Sequence, residues 1–180
     1  MPTPDLKELE GPVGKLNRLP AEEARAALLA CCGSTRWASE VAALRPFWDV
    51  GQLLNIGGRV WRELGREDWL EAFRAHPKIG EKQAQRETGA EARAWAEGEQ
   101  ARARESSDET LDALTEANRE YEERFGFIFI IRAQGRSAEE MLDALTARLD
   151  NDPEAELRVA AEQQRQITQL RLRRLLELAT

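Results

Sequence analysis

Only one stretch of this 180-residue chain looks like a β-strand, and it has nothing to pair with. Phe125-Gly126-Phe127-Ile128-Phe129-Ile130-Ile131 has the aromatic and β-branched content that suits a pleated sheet. A lone strand has no ladder partner, and the further strand signals that a sheet needs are absent. The run therefore reads as the buried start of a helix or as an apolar connector through the core. Elsewhere apolar residues recur at helical spacing. The predicted fold is all-α: one compact domain of about eight helices over residues 1–180, with no repeat and no dividing linker. Residues 1–15 are expected to form a loosely ordered N-terminal segment.

Local signals agree with that class. Pro20 opens a helix over Ala21–Cys32 with Ala24, Leu28 and Cys31 on one face, and Gly33 ends it. Ser34 caps the next, carrying Trp37, Val41 and Leu44, which stops at Arg45-Pro46. Asp49 caps a third, with Leu53, Leu54, Ile56, Val60 and Trp61. A short helix with Trp69, Leu70 and Phe73 follows, then a polar surface stretch from Gly80 to Gly89 and a helical run from about Ala90 to Ala103. Ser106 with Glu109 has capping-box character and opens a long helix to Phe125; Ser137 with Glu140 does the same for Met141, Leu142, Leu145 and Leu149. Asp152-Pro153 starts the last helix. Asp5 to Pro20 reads as loop with one or two short turns.

Composition removes several function classes. The formal net charge is −7, whereas a nucleic-acid binder needs a basic footprint. No apolar run is long enough to cross a membrane. The N-terminus shows no basic-then-apolar signal and the C-terminus no peroxisomal address, so a cytoplasmic protein is expected. Cys31 and Cys32 are adjacent, which strains a disulfide, and they read as reduced thiols. One histidine and no Cys-x-x-Cys leave no plausible zinc site.

That one histidine, His76, lies in His76-Pro77-Lys78-Ile79-Gly80 directly after an amphipathic run. Histidine alone among side chains has an unperturbed pKa near neutrality, at roughly 6.5. Pro77 fixes the backbone after it and Gly80 allows a tight turn, so the imidazole sits at a helix end on rigid backbone. On position alone a capping role at a helix C-terminus competes with a proton shuttle.

The motifs form an ordered set. Cys32-Gly33-Ser34-Thr35-Arg36-Trp37-Ala38 and Arg45-Pro46-Phe47 precede Asp68-Trp69-Leu70-Glu71-Ala72-Phe73 and the His76 motif. Glu99-Gln100, Asn118, Tyr121 and Arg124-Phe125-Gly126-Phe127-Ile128-Phe129-Ile130 follow. Gly135-Arg136-Ser137, Asn151-Asp152-Pro153, Glu156-Leu157 and Ile167-Thr168-Gln169-Leu170-Arg171-Leu172 close the series. In this set the chain resembles the 2-oxo-4-hydroxy-4-carboxy-5-ureidoimidazoline (OHCU) decarboxylases of urate degradation, over roughly Leu16 to Leu176. The resemblance implies an all-helical fold, no cofactor, and conversion of OHCU to (S)-allantoin with loss of carbon dioxide. It implies His76 and Glu99 as the catalytic pair. It also implies substrate binding by Pro77, Phe127, Phe129, Ile131 and Arg171, with main-chain groups of the 127–131 run lining the pocket. Two positions depart from the family pattern: Ala96, where Ser or Thr is frequent, and Arg132, where a small residue or cysteine is frequent.

The implied chemistry suits a protein without cofactors. Decarboxylation leaves an electron pair on carbon, and OHCU carries a carbon–nitrogen double bond beside that carbon to receive it. The protein's tasks are then positioning, electrostatics and proton delivery from one face. Without the resemblance, Glu99 and Arg171 read as ordinary helix-surface charges. A cofactor-free enzyme on a related ureido or imidazoline compound is one alternative. A non-catalytic helical interaction module is another. A homodimer is compatible with all three readings.

Overall fold

The computed structural model describes residues 11–79, 94–95, 98 and 107–177. Among them are eight helices and no strand: α1 (Gly14–Arg18), α2 (Ala21–Cys32), α3 (Thr35–Ala43), α4 (Val50–Glu63), α5 (Arg66–Arg74), α6 (Asp108–Phe125), α7 (Ala138–Leu149) and α8 (Pro153–Glu177). The all-α expectation holds. None of these helices is long and apolar enough to cross a membrane.

Local chemistry explains most of the boundaries. Ser34 caps α3 by accepting from Trp37 N at 3.2 Å, and Asp49 caps α4 by accepting from Gln52 N at 2.7 Å. At α7 the Ser137/Glu140 capping box forms as expected, with reciprocal bonds of 3.2 and 2.7 Å. Asp152 Oδ1 takes the amides of Glu154 and Ala155 at the start of α8. At α6 the cap is Ser107, which accepts from Thr110 N, rather than Ser106. Both have a carboxylate nearby in sequence, so the motif alone leaves a one-residue ambiguity.

The chain divides into two compact units, Met1–Glu71 with Arg165–Thr180, and Ala72–Gln164; the boundaries fall within α5 and α8. In the first unit Trp37 is fully buried and donates Nε1–H to Gly57 O at 2.9 Å. Gly57 is what lets the indole come that close, since a Cβ there would lie 3.1 Å from Trp37 Cζ2. Helix α1 is a short element of five residues in the stretch expected to be loop with one or two short turns. Its five residues carry no capping side chain. It is held instead by distant groups: Asn17 exchanges hydrogen bonds with the backbone of Phe47, and Arg45 Nη1 donates to Leu16 O and Leu19 O.

In the second unit α6 packs on α7. Helix α6 ends at Gly126, whose φ of 77° is the left-handed geometry that glycine adopts freely. Beyond it residues 127–133 form no helix, so the run is the apolar connector and not a helix start. Phe127, Phe129, Ile130 and Ile131 are buried. The rings of Phe127 and Phe129 join Phe73, Tyr121 and Phe125 in one aromatic cluster with centroid separations of 4.6–6.1 Å.

Behind that cluster lies a buried polar network. Glu156 is fully buried and accepts from the Tyr121 hydroxyl, from Arg148 Nε at 2.7 Å and from Asn151 Nδ2 at 2.7 Å. Burial, and then the hydrogen bond to Glu156, push the Tyr121 hydroxyl well above its ordinary range. The Arg148 guanidinium lies over the Phe129 ring at 4.5 Å, and its Nη1 donates to Ile130 O at 2.9 Å. Arg132 N donates to Gln163 Oε1 at 3.0 Å. Side chains thus satisfy backbone groups of the connector that a neighbouring strand would satisfy in a sheet.

Candidate active site

The last turn of α5 delivers the histidine. After Arg74 the backbone tightens: Ala75 N donates to Ala72 O and His76 N to Phe73 O at 3.1 Å. Pro77 follows outside the helix, half-buried. The loop is then tied to α6, where Asn118 Nδ2 donates to Ile79 O and Lys78 Nζ pairs with Glu122 at 2.6 Å. Asn118 and Glu122 are one turn apart, so a single face of α6 holds both residues.

The imidazole is only 7% exposed. Its Nε2 lies 2.6 Å from Oε1 of Gln164, a side chain with no exposure at all. An amide oxygen only accepts, so a hydrogen bond here requires the tautomer or charge state with a hydrogen on Nε2. A histidine held this way is not a surface cap. Within the same unit Phe127, Phe129 and Ile131 supply buried apolar surface. Arg132 is exposed, which settles its orientation toward solvent.

Gln164 is absent from the residues that the motifs single out. Its signal is a polar side chain among inward-facing positions of the last helix, where Leu157, Ala160, Ala161, Ile167 and Leu172 are also buried. A buried amide in an apolar stripe needs a partner. That its partner is His76, 88 positions away, is invisible in one dimension.

Arg171 belongs to the first unit and is 4% exposed, so it is not the solvated helix-end cation of the alternative reading. It lies near Cys32, and its charge opposes the effect of burial there. Glu99 lies outside the described residues. Among the described residues no cluster of three or more His, Cys, Asp or Glu side chains is placed to hold a metal ion.

Both cysteines are buried and unpaired with each other. Burial pushes the Cys32 thiol up to about 12, partly offset by hydrogen bonds from Ser34 and Thr168. The native protein should therefore resist a disulfide reagent such as Ellman's at pH 8, and both thiols should react in urea. Fast native labelling of Cys32 would contradict its burial. In alkali the unfolded chain gives up the Cys32 proton before the folded chain does. This group therefore removes about 1.4 kcal/mol of stability per pH unit above its ordinary range, until the folded thiol also ionises.

The profile of the family described as OHCU decarboxylase matches residues 17–173. The chain belongs to the OHCU decarboxylase family. A crystal structure of an OHCU decarboxylase in the presence of (S)-allantoin is 35% identical, with a TM-score of 0.74, covering 88% of this chain and 99% of that one. The mouse 2-oxo-4-hydroxy-4-carboxy-5-ureidoimidazoline decarboxylase is 33% identical over 141 residues, 77% of this chain and 78% of the mouse protein. The Arabidopsis thaliana uric acid degradation bifunctional protein TTL is 37% identical over 145 residues. Those residues are 81% of this chain but only 45% of the plant protein, so the chain spans less than half of that relative.

Proposed function

We infer that this chain decarboxylates OHCU to (S)-allantoin in urate degradation. The observation that carries the reading is the chain's sole histidine, buried at the end of α5 with a defined hydrogen-bond partner, in a chain that the family profile matches over residues 17–173. We propose that residues 1–180 form a single domain of this family; in support, the profile's match includes residues of both units.

The electron bookkeeping needs no added sink. The bond from ring carbon 4 to its carboxylate breaks and carbon dioxide leaves. The electron pair forms a double bond between carbons 4 and 5, and the former carbon–nitrogen π pair moves onto nitrogen, which takes from solvent the one net proton that the reaction consumes. The hydroxyl on carbon 4 then loses its proton as the carbonyl forms, and carbon 5 gains one. That last proton sets the stereocentre, so it must arrive from one face.

Each residue has a role in this scheme. His76 moves the proton between oxygen and carbon. Glu99 orients the imidazole and supports its charged form. Pro77 fixes the histidine's backbone against the substrate. Phe127, Phe129 and Ile131 exclude water, and Arg171 grips a carbonyl or the anionic ring with its planar fork. We propose further that the enzyme works in the cytoplasm without a cofactor. Its partner is the small-molecule substrate, with neither nucleic acid nor membrane involved.

The direct test supplies freshly oxidised, hydrolysed urate and follows optical activity. Accelerated appearance of (S)-allantoin is expected; racemic product at the uncatalysed rate would overturn the reading. Glu99→Gln tests the catalytic pair, because the amide keeps the shape and loses the charge. Turnover should fall while allantoin binding weakens less, since the charge matters most as the proton moves. Unchanged kcat would remove Glu99 from the mechanism.

A further inference from the structure

Gln164 touches the catalytic histidine and carries no role in the scheme above. We propose that Gln164 is a positioning residue that holds His76 in the Nε2–H tautomer and so makes Nδ1 the nitrogen that moves the reaction's proton. The second half of this statement rests on the decarboxylase reading; the first does not.

The contact between His76 Nε2 and Gln164 Oε1 is 2.6 Å, and the glutamine side chain is fully buried. An amide oxygen offers lone pairs and no hydrogen. A neutral imidazole has one hydrogen, and placing it on Nδ1 would set two acceptors against each other in a buried site. That costs the desolvation of both groups with no bond in return. The neutral ring therefore keeps its hydrogen on Nε2, and its basic lone pair is on Nδ1. Gln164 sits on α8, a 25-residue helix, so the acceptor is carried by a rigid element.

The proton balance follows directly. Nδ1 takes the proton from the hydroxyl on carbon 4 as the carbonyl forms, giving an imidazolium whose Nε2–H still bonds Gln164. Nδ1 then returns that proton to carbon 5. The ring ends neutral in the tautomer with which it began. The neutral amide at Nε2 accepts from the ring in both its neutral and its charged state, so the ring stays fixed through the cycle.

The sole histidine makes the test direct. A two-bond proton–nitrogen NMR spectrum of uniformly nitrogen-15-labelled protein, at a pH where the ring is neutral, reports which nitrogen bears the hydrogen. The Nε2–H pattern is expected in the wild type. Gln164→Leu should mix the tautomers and lower kcat about tenfold or more, with a smaller change in KM. Gln164→Glu retains an acceptor and should restore the Nε2–H pattern. The wild-type spectrum decides the tautomer even if the leucine variant fails to fold. A wild-type enzyme that turns over OHCU with an Nδ1–H ring overturns the proposal alone. So does a folded Gln164→Leu protein with unchanged tautomer and kcat. An Nε2–H ring in a protein inert toward OHCU overturns the decarboxylase reading and the reactive role of Nδ1, while leaving the hydrogen bond intact.

Discussion

His76→Ala lowers OHCU turnover by about a hundredfold to ten-thousandfold, the usual cost of losing general acid–base assistance. The helical fold survives it. The loop is anchored by its backbone and its neighbours: His76 N bonds Phe73 O, Asn118 bonds Ile79 O, and Lys78 pairs with Glu122. None of these contacts uses the imidazole. The loss is felt at Gln164, whose buried oxygen forfeits this donor, at about 1–3 kcal/mol of stability. Steady-state kinetics of optically active allantoin, beside a thermal melt by circular dichroism, separate the two effects. A variant with near-normal kcat and an unchanged melt would show that the ring neither moves the proton nor supports the site.

The largest stability effect belongs to a residue outside the proposed chemistry. Glu156→Ala should cost about 3–5 kcal/mol, because it leaves a buried cation without its partner. The Arg148 side chain is 12% exposed and Glu156 not at all, so water compensates little. The same change removes acceptors from Tyr121 and Asn151. Total stabilities of domains run to about 5–15 kcal/mol, so this is a large share. Glu156→Gln keeps an acceptor and should fall between. Adding Arg148→Met to Glu156→Ala should recover part of the loss, since no buried charge is then left alone. Urea midpoints measure all four proteins. Equal midpoints for wild type and Glu156→Ala would mean that the pair contributes nothing.

Glu156 also shows where a sequence stops being readable. Beside Glu154 it looks like an acidic residue placed in a first turn to meet the helix dipole. Its burial depends on Arg148 and Tyr121, 8 and 35 positions away. Features set by neighbours along the chain were legible: the caps at Ser34, Asp49 and Ser137, the end of the long helix at Phe125, and the exclusion of a sheet. Features set by distant partners were not. Helix α1 has no local signal because Phe47 and Arg45 hold it. The position of His76 at a helix end was plain from Pro77 and the run before it. Its partner Gln164 was not, because an amide in a long helix has many innocent explanations. The Cys32 thiol, read as reduced, is buried and forms no disulfide.

The connector after Gly126 has one more consequence. A strand in a sheet inherits its shape from a ladder of peptide groups that no substitution but proline can interrupt. Here Ile130 O and Arg132 N are held by Arg148 and Gln163, side chains that a single codon change removes. The path of this backbone is therefore heritable at positions 148 and 163 rather than at 127–131. Divergence in what such a segment recognises can thus arise while its own residues stay the same.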